Sequence, residues 1–265
     1  MTAKGIFTLL HELQIYEGAN GHCAPAQGVY PDNNLYGTLG SAAINNNGSL
    51  FCTDTKGVNF HILHYFTGPD GSDPECTPVP DGQGNLYGTC AAGGANAYGT
   101  IWKCNTTGAS FTKLYDFDGT HGAYPFVGGK LAIVNGCLYG TATQGGANSN
   151  GVIFKYNFST NQLSIFHALN NNLGEGSYPQ GGLTYDAASS NFFGTCAGGG
   201  SANLGTLYKT ALSTGACTLL YAFTGGDGAN PDYWPILGTD GFLYGTTPNG
   251  GDNGLGAIFK QTTTP

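Results

Sequence analysis

Leu35-Tyr36-Gly37-Thr38 decides the fold, because it returns. It stands again as Leu86-Tyr87-Gly88-Thr89, Leu138-Tyr139-Gly140-Thr141, Phe192-Phe193-Gly194-Thr195 and Leu243-Tyr244-Gly245-Thr246. The steps between the tetrad threonines are 51, 52, 54 and 51 residues. A motif held at one period marks a repeat architecture, and five copies of about 52 residues account for the whole chain.

The spacing inside a copy is tighter than the period. Ten residues after each tetrad threonine comes an anchor glycine: Gly48, Gly99, Gly151, Gly205 and Gly256. It opens runs such as Thr100-Ile101-Trp102-Lys103 and Ala257-Ile258-Phe259-Lys260. Only the return to the next tetrad changes length, as a surface connection does. Each copy reads as four short strands, since Gly, Asn, Asp and Pro punctuate runs of β-branched and aromatic residues. Four-stranded units repeated around a ring make a β-propeller. The sequence therefore predicts an all-β, five-bladed β-propeller of four antiparallel strands per blade, as a single domain over 1–265. The chain opens with Phe7-Thr8-Leu9-Leu10-His11-Glu12-Leu13, which matches a fourth strand, and closes on a third strand at Ile258-Phe259-Lys260-Gln261-Thr262. The N-terminal strand is expected to complete the last blade, because closure removes exposed edges.

The set Leu-Tyr-Gly-Thr, Gly-Gly, Gly-x-Ile-Phe-Lys and Leu-Tyr-x-Phe-x-Gly-x-Asp-Gly resembles the bacterial Gloeobacter/Verrucomicrobium (GloVer) tandem repeat. The copy that carries it best is Leu219-Leu220-Tyr221-Ala222-Phe223-Thr224-Gly225-Gly226-Asp227-Gly228-Ala229-Asn230-Pro231, followed by Gly241-Phe242-Leu243-Tyr244-Gly245-Thr246-Thr247. The resemblance implies an extracellular, often surface-anchored protein of the choice-of-anchor type and carries over no catalytic residue. No signal peptide precedes the first strand; for an exported protein the expectation is either that one has been removed or that Met1 is an added residue.

Charge narrows the partners. Eight lysines, no arginine and sixteen acids give a net charge of −8, which opposes nucleic-acid binding. No apolar run is long enough for a membrane span, so no membrane insertion is expected. In a four-stranded blade the 4→1 and 2→3 connections emerge on one face. Glu17, Asp70, Asp73, Glu75, Asp118, Glu175, Asp227, Asp232 and Asp252 fall there, nine of the sixteen acids. Aromatics join them. Tyr98, Tyr124, Tyr178 and Trp234, with the loop amides Asn96, Asn148, Asn203 and Asn249, form the expected ligand site. A ring beside amides suits a sugar, whose C–H face stacks while its hydroxyls find partners. Tyr124 and Tyr178, each before a proline, can equally plug the gaps between blades. The sequence is expected to encode an extracellular binding or adhesion module for a carbohydrate or cell-surface polymer, monomeric or stacked as rings.

Two rivals stand beside it. A glycoside hydrolase needs two carboxylates flanking one bond; Asp32, Asp81, Asp186 and Asp240 are the candidates, but they fall in hairpin turns, where Asx-Gly is ordinary chemistry. The first strands carry no acid, which argues against hydrolysis. The other rival is a self-assembling surface protein. No cofactor is expected apart from a Ca²⁺ option at Asp70, Asp73 and Asp227, which lack the terminal glutamate of a helix-loop-helix site. His11, His64 and His167 fall on equivalent fourth strands of separate blades and are expected to share no metal. Eight cysteines include no C-x-x-C pair; Cys23 and Cys76, at similar positions of neighbouring blades, are the expected disulfide. Sequons stand at Asn47, Asn105 and Asn157, for use if the source glycosylates.

Overall fold

A glycine without a Cβ sits at the centre of each sheet, and the sheet is built on that absence. In the computed structural model, which describes residues 8–21, 26–27, 33–125 and 129–265, the strands form five antiparallel sheets in sequence order. The first holds β1 (Ala26–Gln27), β2 (Leu35–Leu39), β3 (Ser49–Thr53) and β4 (His61–Tyr65). The second holds β5 (Val79–Pro80), β6 (Asn85–Cys90), β7 (Thr100–Asn105) and β8 (Phe111–Asp116). The third adds β9 (Ala123–Pro125) to β10 (Ala132–Val134), β11 (Cys137–Gln144), β12 (Val152–Asn157) and β13 (Gln162–Ala168). The fourth holds β14 (Thr184–Asp186), β15 (Asn191–Cys196), β16 (Thr206–Ala211) and β17 (Cys217–Ala222). The fifth has three strands, β18 (Ile236–Leu237), β19 (Leu243–Thr247) and β20 (Ala257–Gln261).

The register repeats with the sequence. Gly37 pairs with Phe51, Gly88 with Trp102, Gly140 with Phe154, Gly194 with Tyr208 and Gly245 with Phe259. Each aromatic side chain lies across its glycine so closely that a Cβ there would penetrate it. The third strand can therefore lay a large side chain flat on its own sheet. The anchor glycine solves a second problem. At Gly48, Gly99, Gly151 and Gly205 the backbone is left-handed, with φ from 87° to 101°, and a proline ring of the next unit (Pro74, Pro125, Pro179, Pro231) presses on the Cα. Only glycine meets both demands. The tetrad threonine reaches further: Thr38 Oγ1 donates to Cys76 O at 2.8 Å and Thr195 Oγ1 to Tyr233 O at 2.9 Å, both 38 residues ahead in the loop that leads into the next sheet.

Consecutive sheets bury four cores among the described residues. Leu50 and Trp102 lie in the first, Ile101 and Phe154 in the second, Ile153 and Tyr208 in the third, Leu207 and Phe259 in the fourth. Among the described residues, no fifth core joins the last sheet to the first. Leu50, Ile101, Ile153 and Leu207 are at most 1% exposed, whereas the equivalent Ile258 is 84% exposed.

This corrects the expected closure. Residues 8–14 form no strand, and the outer edge of β20 is unpaired among the described residues, so the N-terminal stretch does not complete the fifth sheet. Phe7 lies outside the described residues. The stretch nevertheless lies in the position of an outer strand against the first sheet. His11 stacks on Phe60 at 3.7 Å and 6°, as His64 stacks on Phe111 at 3.5 Å and 4°. The Leu10 backbone abuts Gly57 as Leu63 abuts Gly108. One half of the seam is thus in place and the other is bare.

Gly88→Ala should destabilise the protein by about 1–3 kcal/mol, because Trp102 must leave its rotamer. Gly226→Ala, where a Cβ meets nothing within 4 Å, should change stability by less than about 0.5 kcal/mol. Urea denaturation of the two variants checks the contrast.

Candidate functional site

The 4→1 and 2→3 connections do meet on one face. Ala19 bridges Ser41, Ser72 bridges Ala92, Ser177 bridges Gly198, Ala229 bridges Asn249, and Ala123 pairs with Gln144. Each unit's return loop is thereby stitched to the next unit's tetrad strand.

Four acids of this face turn inward on their own loops. Glu17 accepts from the Gln14 N–H and pairs with His11 at 2.9 Å. Asp70 accepts from Thr67 N–H and pairs with His64 at 2.8 Å. Glu175 accepts from Asn170 N–H and pairs with His167 at 2.9 Å. Asp227 accepts from Thr224 N–H and from the Tyr221 hydroxyl. The slight burial of Asp227 pushes its carboxyl up, but the bonds from Tyr221 and Thr224 outweigh that and hold it below the usual range. Each carboxylate locks a turn to the outer strand behind it. The calcium candidates are not brought together: Asp70 and Asp227 serve loops of different sheets, and Asp73 stands at a left-handed position with φ 51°.

The predicted amides do similar work. Asn96 Nδ2 donates to Phe117 O at 2.9 Å and Asn148 Nδ2 to Leu169 O at 3.1 Å. Asn203 Oδ1 accepts from Gly199 N–H, and Asn249 Nδ2 reaches Asn230 Oδ1 at 3.4 Å. These side chains hold the loops that display the aromatics.

The aromatics face outward. Tyr98, Tyr124 and Tyr178 are 37%, 38% and 49% exposed. Tyr98 and Tyr124 meet edge to face at 5.7 Å. Trp234 is half-buried beside the exposed Tyr233. One property of this set is absent from the sequence-based picture. Tyr124 and Tyr178 are left-handed, with φ 55° and 57°. The equivalent positions carry Asn20, Asp73 and Asn230, also left-handed. Asn and Asp enter that region readily, whereas a bulky side chain there is an outlier. Both tyrosines precede a proline, which narrows their backbone further. Aligning the residue before Pro74, Pro125, Pro179 and Pro231 would have exposed the anomaly.

The hydrolase candidates fold back on hairpins of separate sheets. Asp81 accepts from the N–H groups of Gln83 and Asn85, Asp186 from Ala188 and Ser189, and Asp240 from Phe242 N–H, Tyr244 and Lys260. Asp32 lies outside the described residues. The sequon residues Asn105 and Asn157 sit at hairpins after β7 and β12, each accepting with its Oδ1 from its own turn, and Asn47 donates to Asn45 O. Cys76, Cys90, Cys104, Cys137, Cys196 and Cys217 are free thiols. Cys76 is buried, its Sγ accepts from Thr89 N–H, and burial pushes it up to about 11. Its expected partner Cys23 lies outside the described residues.

One group of possible metal ligands emerges among the described residues, and it contains a histidine expected to share no site. His167, Glu175 and Cys217 place their donor atoms within 4.8 Å of one another at the boundary of the third and fourth sheets. Burial, with Glu175 beside it, pushes the Cys217 thiol up to about 12. The sequence signal was the column twelve residues after the anchor glycine, which reads Phe60, Phe111, Leu163 and then Cys217.

No curated protein matches the sequence. Solved structures match in fold. A chain of a nidogen/laminin complex is 16% identical, with a TM-score of 0.51 over 81% of this chain and 67% of that one. The extracellular domain of BT4673 from B. thetaiotaomicron is 12% identical, with a TM-score of 0.61 over 95% of this chain and 27% of that one. A gluconolactonase from Xanthomonas campestris is 13% identical, with a TM-score of 0.55 over 95% of this chain and 78% of that one. The shared fold is β-propeller-like. None of its described helices could cross a membrane. The model of the Gloeobacter/Verrucomicrobia repeat matches residues 1–189 and again residues 128–265. The two matches overlap and between them span the sequence, and the chain belongs to the Gloeobacter/Verrucomicrobia repeat family.

Proposed function

We propose that this chain is an extracellular binding module whose ligand is a carbohydrate or a glycan-bearing cell-surface polymer, taken up on the face where the 4→1 and 2→3 connections meet. One observation carries the reading: Tyr124 and Tyr178 occupy left-handed positions that the other units give to Asn or Asp. Holding a tyrosine there costs roughly 1 kcal/mol. A strained residue whose ring stands half in solvent contributes little packing in return. Strain of this kind collects at ligand sites, and rings in a fixed orientation stack on the C–H face of a sugar. The family repeat and the extracellular domain among the structural neighbours support an extracellular setting.

The bare seam favours a second reading, assembly of copies into a surface layer or fibre. The last sheet exposes Ile236, Leu255 and Ile258, and β20 offers an unpaired edge. The first sheet of another copy, with its N-terminal stretch already seated, presents the kind of surface that covers each internal sheet. Such a head-to-tail contact does not close on itself and propagates.

A glycan array tests the first reading. The wild type should bind a defined set of glycans; Tyr124→Asn with Tyr178→Asn should lose them while stability rises by roughly 1 kcal/mol per site. Unchanged binding by the double variant would sink the proposal. Light scattering across a concentration series tests the second. Apparent mass should grow with concentration in the wild type and stay monomeric in Ile258→Lys; a wild type of constant monomeric mass removes it.

A further inference from the structure

Three fourth-strand histidines each hold a carboxylate of the following loop, and two of the three trios have the same third member. Phe60 stacks on His11 beside Glu17, and Phe111 stacks on His64 beside Asp70. At the third site the equivalent residue is Cys217, against His167 and Glu175. The His–carboxylate pair alone is a structural latch, since it occurs where an aromatic ring caps it. The thiol is what differs. It turns a capped latch into three donors of the types that bind a borderline divalent cation: imidazole nitrogen, carboxylate oxygen and sulfur.

Two further observations single out this site. Thr210 is the cross-strand partner of Cys217, is fully buried, and its hydroxyl has no hydrogen-bond partner other than the Cys217 thiol. The buried Tyr208 hydroxyl, two residues back on the same face of β16, lacks one altogether. Unpaired buried hydroxyls are uncommon and call for an explanation. The scaffold around the donors is rigid. Glu175 is fixed from both sides, since its carbonyl accepts from Thr206 Oγ1 at 2.8 Å on the fourth sheet while its carboxylate holds His167 on the third.

We propose that His167, Glu175 and Cys217 form a binding site for a zinc-like divalent cation between the third and fourth sheets. Binding replaces the His167–Glu175 hydrogen bond by bonds from Nε2 and the carboxylate to the metal. The Cys217 thiol loses its proton to solvent and binds as thiolate; the proton on Nε2 that joins His167 to Glu175 leaves that nitrogen, and the bound imidazole carries its single proton on Nδ1. Three protein ligands leave a fourth position open, as in zinc sites that hold a water or an exchangeable ligand. The cation would add a cross-link between two sheets that already meet through packing, the Glu175 latch and backbone bonds such as Leu183 N–H to Lys130 O.

Cobalt and zinc are the probes, added to the purified full-length chain. One equivalent of Co²⁺ should produce a thiolate-to-metal charge-transfer band, stoichiometric Zn²⁺ should bleach it, and Zn²⁺ should raise the melting temperature. Cys217→Phe installs the residue used in the first and second sheets, so it should fold, lose the band and lose the zinc-dependent shift. Cys217→Ser, which keeps the size of the side chain, should behave alike and serves if the phenylalanine variant is unstable. Cys196→Ala should retain the band. A wild type with no charge-transfer band at stoichiometric cobalt, or a band of equal strength in Cys217→Ser, overturns the site.

Discussion

An aromatic or large side chain lying across a cross-strand glycine is the contact on which the other contacts rest. Each sheet needs a filled face at the point where strands two and three pair, and a Cβ on strand two would hold the ring of strand three away. With the ring down, the residue before it in strand three projects to the opposite side and enters the next core: Ile101 after the first, Ile153 after the second, Leu207 after the third. The same strand thus serves two interfaces. The anchor glycine and the proline that presses on it set how closely the following unit may approach. The threonine bond 38 residues ahead then fixes the loop that leads into that unit.

Local spacing made much of this legible. Tetrad and anchor glycine lie ten residues apart because a hairpin of fixed length joins β2 to β3, β6 to β7 and their equivalents, and that hairpin was read without coordinates. The closing of the seam was not legible. Phe7-Thr8-Leu9-Leu10-His11 matches a fourth strand in pattern, and residues 8–11 do occupy an outer-strand position. They occupy it against the first sheet. A sequence pattern says which side chains a segment offers and leaves open which of two neighbours receives them.

The site was half legible for a related reason. Sorting by connection placed acids and aromatics on one face, and backbone bridges do bring those connections together. Direction within the face escaped. Asp70 and Asp227 bond onto their own turns, and Asn96 and Asn148 bond across to the backbone just beyond the fourth strand, which composition cannot distinguish from pointing outward. A pairing rule was available in the sequence. His11 with Glu17, His64 with Asp70 and Tyr221 with Asp227 are all six residues apart, and His167 with Glu175 is eight, across the one loop that carries a short 3₁₀ turn. Read as pairs, these columns mark latches; read singly, they suggest a charged surface.

A row of sheets joined only to neighbours behaves almost one-dimensionally, so that end units hold fewer stabilising interfaces than interior ones. Here the asymmetry is one-sided. The first sheet wears the N-terminal stretch as a cover, while the fifth has a core on one flank and solvent on the other. Opening a segment costs less free energy where fewer apolar contacts must break. The molecule therefore has a soft end and a firm end: fraying begins at β20 and travels inward, and whatever docks on that flank would act as a brake on unravelling from the carboxyl terminus.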